Sequence, residues 1–337
     1  MKIAITADIH LSNFNQDPID KESGLRERLS SLNNSLRYMF DYCISHEINK
    51  IIIAGDLFHN KGLIYTVSQN MFIKILNDYK DKVCVKLVTG NHDLSSKTED
   101  GESSLLALSY HPNLTYFSSP YYDEKNSIFY APYNSNMINS IKENSANILI
   151  SHFGLNEGIL NNGTSIIADI SLRDLTNKYK VVILGHYHKP QEIINDNIKF
   201  YYTGSPIQLN WGESGEEKRF LILDTETLDV ESILFEGYKK YIKLELNKDN
   251  YKDISKEIQK IKESGDYIKV IKKDDINLTE DLDVPIVDRS EKDITNRGIN
   301  SSMDIESKLT KYLEIKNVQK EDFEYIKTIG MELVRGE

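Results

Sequence analysis

The sequence predicts an α/β fold in which helices pack outside sheets and polar side chains gather at the carboxyl ends of strands. Short apolar runs recur through the first 240 residues, helical patterns separate several of them, and five of the runs stop at a polar cluster.

The first run, KIAIT, leads into Asp8 and His10 of ADIH, and a helical pattern covers 25–46. The second run, KIIIAG, delivers Asp56, with His59 three residues further on. Its three isoleucines read as a strand buried on both faces. A second helical pattern covers 66–79, with Val67, Met71, Ile75 and Leu76 as its apolar positions. The third run, VCVKLVTG, leads into Asn91, His92 and Asp93 of GNHD. The fourth, ANILIS, ends at His152 of SHFG, and the fifth, KVVILG, at His186 and His188 of GHYH. All five clusters therefore point at one cleft. His59 stays open on this reading, as a metal ligand, a substrate contact or an ordinary loop histidine.

After about residue 239 the texture changes to strand, helix, strand, with Ile254, Ile258 and Ile261 on one helix face and Gly265 near the helix end. Residues 276–300 are polar, carry Pro285 and Gly298, and read as a linker. Two short amphipathic helices close the chain, one with Ile305, Leu309 and Leu313 on a face, the other with Phe323, Ile326, Gly330 and Leu333.

A length of 337 residues suggests about two domains. With 39% hydrophobic and 28% charged residues, the chain has the composition of an ordinary globular protein. Cys43 and Cys84 are its only cysteines, which suggests no disulfide framework and a reducing compartment. No run approaches the roughly 18 apolar residues of a membrane span, and MKIAITADIH reads as a strand rather than a signal peptide. A cytoplasmic location is expected. The net charge of −11 counts against a broad basic face that grips nucleic acid. Two divalent cations would add about four positive charges locally, so a phosphate ester remains an acceptable substrate.

Carboxylate, imidazole and amide oxygen together suit borderline or hard cations such as manganese, iron or zinc. In ADIH and GHYH the donors stand two residues apart, a spacing that on an extended strand end returns both side chains to one side. Glycines before Asp56, Asn91 and His186 are expected to let the backbone turn sharply. His46 and His111, outside these segments, read as structural or exposed.

The ordered series ADIH, GDLFH, GNHD, SHFG and GHYH resembles the calcineurin-like metallophosphoesterases, and within them the double-strand-break repair nucleases of SbcD and meiotic-recombination-eleven type, with phage recombination endonuclease subunits close in size. The segment YYTGSPIQLNWGESGEEKRFLIL extends the likeness, which covers roughly the first 225 residues. The resemblance implies two facing mixed sheets flanked by helices, with a small α/β capping domain and a C-terminal helical tail. It divides the chain into a nuclease domain at 1–239, a capping, DNA-contacting domain at 240–290, and a linker with helical tail at 291–337.

Carried over residue by residue, the resemblance implies one metal held by Asp8, His10 and His188, another by Asn91, His152 and His186, and Asp56 bridging both. Such ions stand about 3.5–4 Å apart, and a hydroxide they activate attacks the phosphodiester. Manganese is the expected metal, with magnesium, iron or zinc as alternatives. His92 would contact the scissile phosphate and help protonate the leaving oxygen, with Asp93 orienting its ring or serving as a simple turn residue. His59 resembles the second active-site histidine of that branch, which positions the phosphodiester instead of binding metal. The implied partners are DNA, an SMC-like ATPase of SbcC type docked on the terminal helices, and a second copy of the chain in contact through 65–80 and 102–110. The competing readings are a phosphoesterase for small phosphoesters or cyclic nucleotides and a catalytically silent scaffold.

Overall fold

The computed structural model describes residues 1–96, 101–160, 163, 164, 168, 170–194, 197–250, 253–274, 282–288, 303–316 and 318–335. Two compact units divide the chain: residues 1–242 with 265–267, and residues 243–264 with 268–337.

Along the first unit run β1 (Lys2–Thr6), α1 (Glu27–Ser45), β2 (Lys50–Ala54), α2 (Thr66–Asp78), β3 (Cys84–Val88), β4 (Leu114–Phe117), β5 (Tyr121–Asp123), β6 (Ile128–Ala131) and α3 (Met137–Glu143). There follow β7 (Ile148–His152), α4 (Leu172–Leu175), β8 (Val181–Gly185), β9 (Gln191–Ile194), β10 (Lys199–Tyr202), β11 (Arg219–Asp224) and β12 (Val230–Leu234). They form two six-stranded sheets, ordered β12-β11-β1-β2-β3-β4 and β5-β6-β7-β8-β10-β9. Both are mixed: β1 to β4 run parallel, β11 pairs antiparallel with β1 and β12 antiparallel with β11, and β6, β7, β8 and β10 run parallel with antiparallel β5 and β9 at the edges.

The continuous apolar runs follow from burial on both faces. In β2, Ile51 and Ile53 join a core with Leu29, Leu36, Phe72 and Leu76 of α1 and α2. Ile52 and Ala54 turn the other way, into a core shared with Ile3 and Ile5 of β1, Ile150 of β7 and Ile183 of β8. The second sheet repeats this: Val182 and Leu184 of β8 pack with Met137 and Ile141 of α3 and Leu175 of α4. The order of layers is therefore helix, sheet, sheet, helix, as expected. Each fully buried Ile contributes roughly 1.5–3 kcal/mol, so the inter-sheet core fixes the sheets face to face.

Register aligns the functional ends. Ile5 pairs with Ile52, and beyond the strands the Asp8 amide donates to the Gly55 carbonyl at 3.1 Å. In the second sheet His152 pairs with Gly185. Met71, Ile75 and Leu105, weighed for a contact between two copies, are core residues, whereas Val67, Leu106 and Tyr110 are exposed.

The second unit holds most of a three-stranded sheet, β13 (Tyr241–Leu246), β14 (Tyr267–Lys272) and β15 (Ile286–Asp288), with α5 (Ile254–Ser264), α6 (Ile305–Ile315) and α7 (Lys320–Arg335). The expected linker at 276–300 is thus interrupted by a strand. Val270 donates to the Pro285 carbonyl at 2.9 Å, so the proline opens β15 without having to supply an N–H itself. Gly298 lies outside the described residues. Helices α6 and α7 pack on one another, Lys327 pairing with Glu306 at 2.9 Å and Gly330 lying against Leu309. Ile326, expected on the packed face of α7, is 39% exposed. Among the described residues no helix is long and apolar enough to cross a membrane.

Candidate metal centre

The two-residue spacing brings its side chains together by a different route from strand alternation. β1 ends at Thr6, and both Asp8 and His10 take positive φ, 53° each, as do Asp56 at 55° and His186 at 103°. Left-handed backbone at such residues costs of order 1–3 kcal/mol each and persists where its surroundings over-determine it. Here the His10 amide donates to the Asp56 carbonyl at 3.0 Å, and Leu11 and Phe58 form a bridge just beyond.

Of the three glycines expected to permit turns, only Gly55 has positive φ, 91°. Gly90 and Gly185 serve close approach instead. A Cβ on Gly90 would lie 2.2 Å from Asp56 Oδ1, and one on Gly185 would lie 2.4 Å from the Ala54 carbonyl oxygen.

Seven donors converge in two groups. His10 Nε2 lies 3.0 Å from His188 Nε2 and 3.9 Å from Asp8 Oδ1. Asn91 Oδ1 lies 3.1 Å from both His152 Nε2 and His186 Nδ1. Between the groups stands Asp56, whose Oδ2 is 3.6 Å from His10 Nε2 and 3.3 Å from His152 Nε2. Asp8, Asp56, His10 and His152 are buried, and a side-chain set of two carboxylates, four imidazoles and an amide oxygen fits two divalent cations. The His152 ring is set by Nδ1–H donating to the Ala54 carbonyl at 2.8 Å, which turns Nε2 inward.

The charges behave as a cation-demanding site does. Burial opposes charge on His152, yet the Asp56 and Asp8 carboxylates outweigh it and raise the imidazole to about 9. Burial with the His152 charge pushes His186 down to about 4, and burial holds His10 well below the ordinary imidazole range. Burial and the charge of Asp56 raise Asp8, whereas Asp56 itself is lowered, its burial outweighed by His152 and His10.

His92 and His59 flank the donors without joining either group. His92 Nδ1–H donates to the His59 carbonyl at 2.6 Å, and the His10 ring stands edge-on to both rings, at 4.9 Å from His92 and 5.3 Å from His59. With His10 they form a third cluster, ring nitrogens of all three lying within 4.8 Å of one another and His59 Nδ1 3.4 Å from His10 Nδ1.

Asp93 does not orient the His92 ring, which the His59 carbonyl holds. The Asp93 carboxylate is fully buried and accepts from the backbone amides of Asp56 and Gly90 at 2.9 Å each and of Phe58 at 3.1 Å. It ties the GNHD turn to the loop that presents Asp56. Burial and the neighbouring Asp56 charge push its carboxyl up to about 7.

Sequence reasoning missed Glu213 and Lys218, a buried ion pair 2.7 Å apart behind His188. Both lie in the segment that carries the family likeness, but no spacing rule links Glu213 to a histidine 25 positions earlier. His46 is exposed and stacks on Tyr42, and His111 is half-buried and meets Asn77.

The SbcD subunit of the Staphylococcus epidermidis nuclease SbcCD is 25% identical over 305 residues, covering 79% of this chain and 77% of that protein. Exonuclease subunit 1 of Enterobacteria phage T4 is 24% identical over 216 residues, covering 59% of this chain and 60% of that protein. A solved Pyrococcus horikoshii protein covers 77% of this chain and 94% of its own length at 15% identity, with a TM-score of 0.39. The calcineurin-like phosphoesterase family model matches residues 1–190, which include every donor named above. The chain belongs to the calcineurin-like phosphoesterases.

Proposed function

We propose that the chain is a dinuclear-metal-dependent DNA nuclease, the cutting subunit of a nuclease-ATPase complex that processes DNA ends in recombination and repair. The observation that carries the reading is the convergence of Asp8, His10, His188, Asn91, His152 and His186 around Asp56, with the His59 and His92 rings beside them. The names of the two relatives supply nuclease as the activity.

Two divalent ions, in this reading manganese, would supply Lewis acidity and lower the pKa of bound water. The chain's own residues do the rest. Asp56 holds the two donor groups in one centre, and the backbone amides that bind Asp93 fix where Asp56 points. His92, half-buried and with Nδ1–H committed to the His59 carbonyl, has Nε2 left to meet the phosphate or hand a proton to the leaving oxygen. His59, exposed beside the centre, positions the phosphodiester.

The proposal extends to an SMC-like ATPase bound at α6 and α7, where Tyr312, Tyr325, Ile326 and Ile329 are exposed, to a two-fold homodimer, and to work in the cytoplasm. Linear duplex DNA, a nitrophenyl phosphodiester and a phosphomonoester assayed side by side with Mn²⁺ test the substrate class. Cleavage of DNA is the expected result. Turnover of the monoester alone would assign the chain to small phosphoesters.

A further inference from the structure

We propose that Glu213, fixed by Lys218, is a positioning residue for His188 and sets the metal affinity of the Asp8, His10 and His188 half of the centre. The inference rests on the metal-centre reading above and goes beyond it, because neither residue is a donor in that reading.

Glu213 and Lys218 are each 1% exposed. Glu213 Oε2 meets Lys218 Nζ at 2.7 Å and accepts from the Leu209 amide at 3.1 Å and the Ser205 hydroxyl at 3.3 Å. Its Oε1 accepts from Asn210 Nδ2 at 3.1 Å and faces His188 Nδ1 at 3.4 Å. Lys218 Nζ also donates to the His188 carbonyl at 2.9 Å and to the Glu216 carboxylate at 2.8 Å. His188 is therefore clasped twice, at its backbone by the lysine and at its ring by the carboxylate.

Stability is a poor explanation of this arrangement. Taking both charges from water offsets most of their attraction, and apolar pairs of similar volume often serve as well. A carboxylate behind an imidazole does something an apolar residue does not: it keeps the proton on Nδ1, leaves Nε2 as the donor and raises the basicity of that donor. His188 Nε2 is the atom turned toward His10. In the other half of the centre His152 donates to the neutral Ala54 carbonyl and His186 turns Nδ1 toward Asn91, and among the described residues no hydrogen bond or ion pair joins a carboxylate to the far side of either ring. The two halves should consequently differ in their dependence on Glu213.

The test is a Mn²⁺ titration of the full chain, followed by calorimetry and electron paramagnetic resonance, for wild type, Glu213→Gln, and the double variant Glu213→Gln with Lys218→Met. Circular dichroism establishes that each is folded. In Glu213→Gln one of two ions is expected to bind about 10- to 100-fold more weakly while the other is unchanged. The double variant removes the unbalanced lysine and should keep the same one-site defect. It also carries the test where the single variant fails to fold. Wild-type affinity at both sites in either folded variant would overturn the proposal, because the pair would then be structural only. Fewer than two ions bound by wild type would instead remove the metal-centre reading itself.

Discussion

At the scale of single residues, the proposed metal donors and the proposed substrate-facing histidines make separable predictions. Asp56→Ala should lose both Mn²⁺ binding and DNA cleavage, because its carboxylate stands between the two donor groups. His59→Ala should keep both ions by calorimetry yet lose cleavage by at least tenfold, and loss of an ion would make His59 a ligand after all. Asp93→Ala should act on the fold: it strips the partner from three buried backbone amides at about 1–3 kcal/mol each, read as a lower midpoint in urea. The residue types of the donors were legible in the sequence, but what Asp93 binds was not, because its three partners are backbone amides with no sequence signature. His152 gives a pH dependence with a definite sign. Raised from 6.5 to about 9 in the metal-free chain, it favours the fold fully below about pH 6.5, and that contribution fades as pH rises through 9. Mn²⁺ must displace this proton, so affinity should fall as pH falls from 9 toward 6.5, with proton release visible as a buffer-dependent heat.

At the scale of elements, strands buried on both faces announced themselves. β1, β2, β7 and β8 are continuous apolar runs because one face meets helices and the other the opposite sheet. The edge strands β5, β9 and β12 keep exposed positions and carry no such run, which is why the sequence did not predict them. Strand alternation predicted that the Asp8 and His10 side chains meet, and they do, but by another route, since the backbone there is left-handed rather than extended. The glycine before Asn91 likewise makes room rather than a turn. Gly90→Ala would drive a Cβ against Asp56 Oδ1 at 2.2 Å and its amide nitrogen at 2.3 Å. The expected outcome is a loss of about 1–3 kcal/mol in urea denaturation together with weakened Mn²⁺ binding. An unperturbed variant would mean that the Asp56 loop can retreat without consequence.

At the scale of the whole molecule, a net charge of −11 and a site built for cations are compatible because metal supplies the local positive charge that phosphate requires. The charge count excluded only a broad basic face. The second unit was legible as strand, helix and strand, whereas β15 was hidden in a polar stretch by its three-residue length. Deleting 303–337 should abolish capture of an SMC-like ATPase coiled coil while leaving manganese-dependent cleavage of a nitrophenyl phosphodiester intact, measured by pull-down and absorbance. Retained capture would end the docking assignment for α6 and α7. The most direct test of the dinuclear centre is an anomalous difference map, recorded at the manganese edge from a crystal soaked in Mn²⁺. The expected result is two peaks, one among Asp8, His10 and His188, the other among Asn91, His152 and His186, with Asp56 between them. A single peak, or peaks away from these side chains, would contradict it.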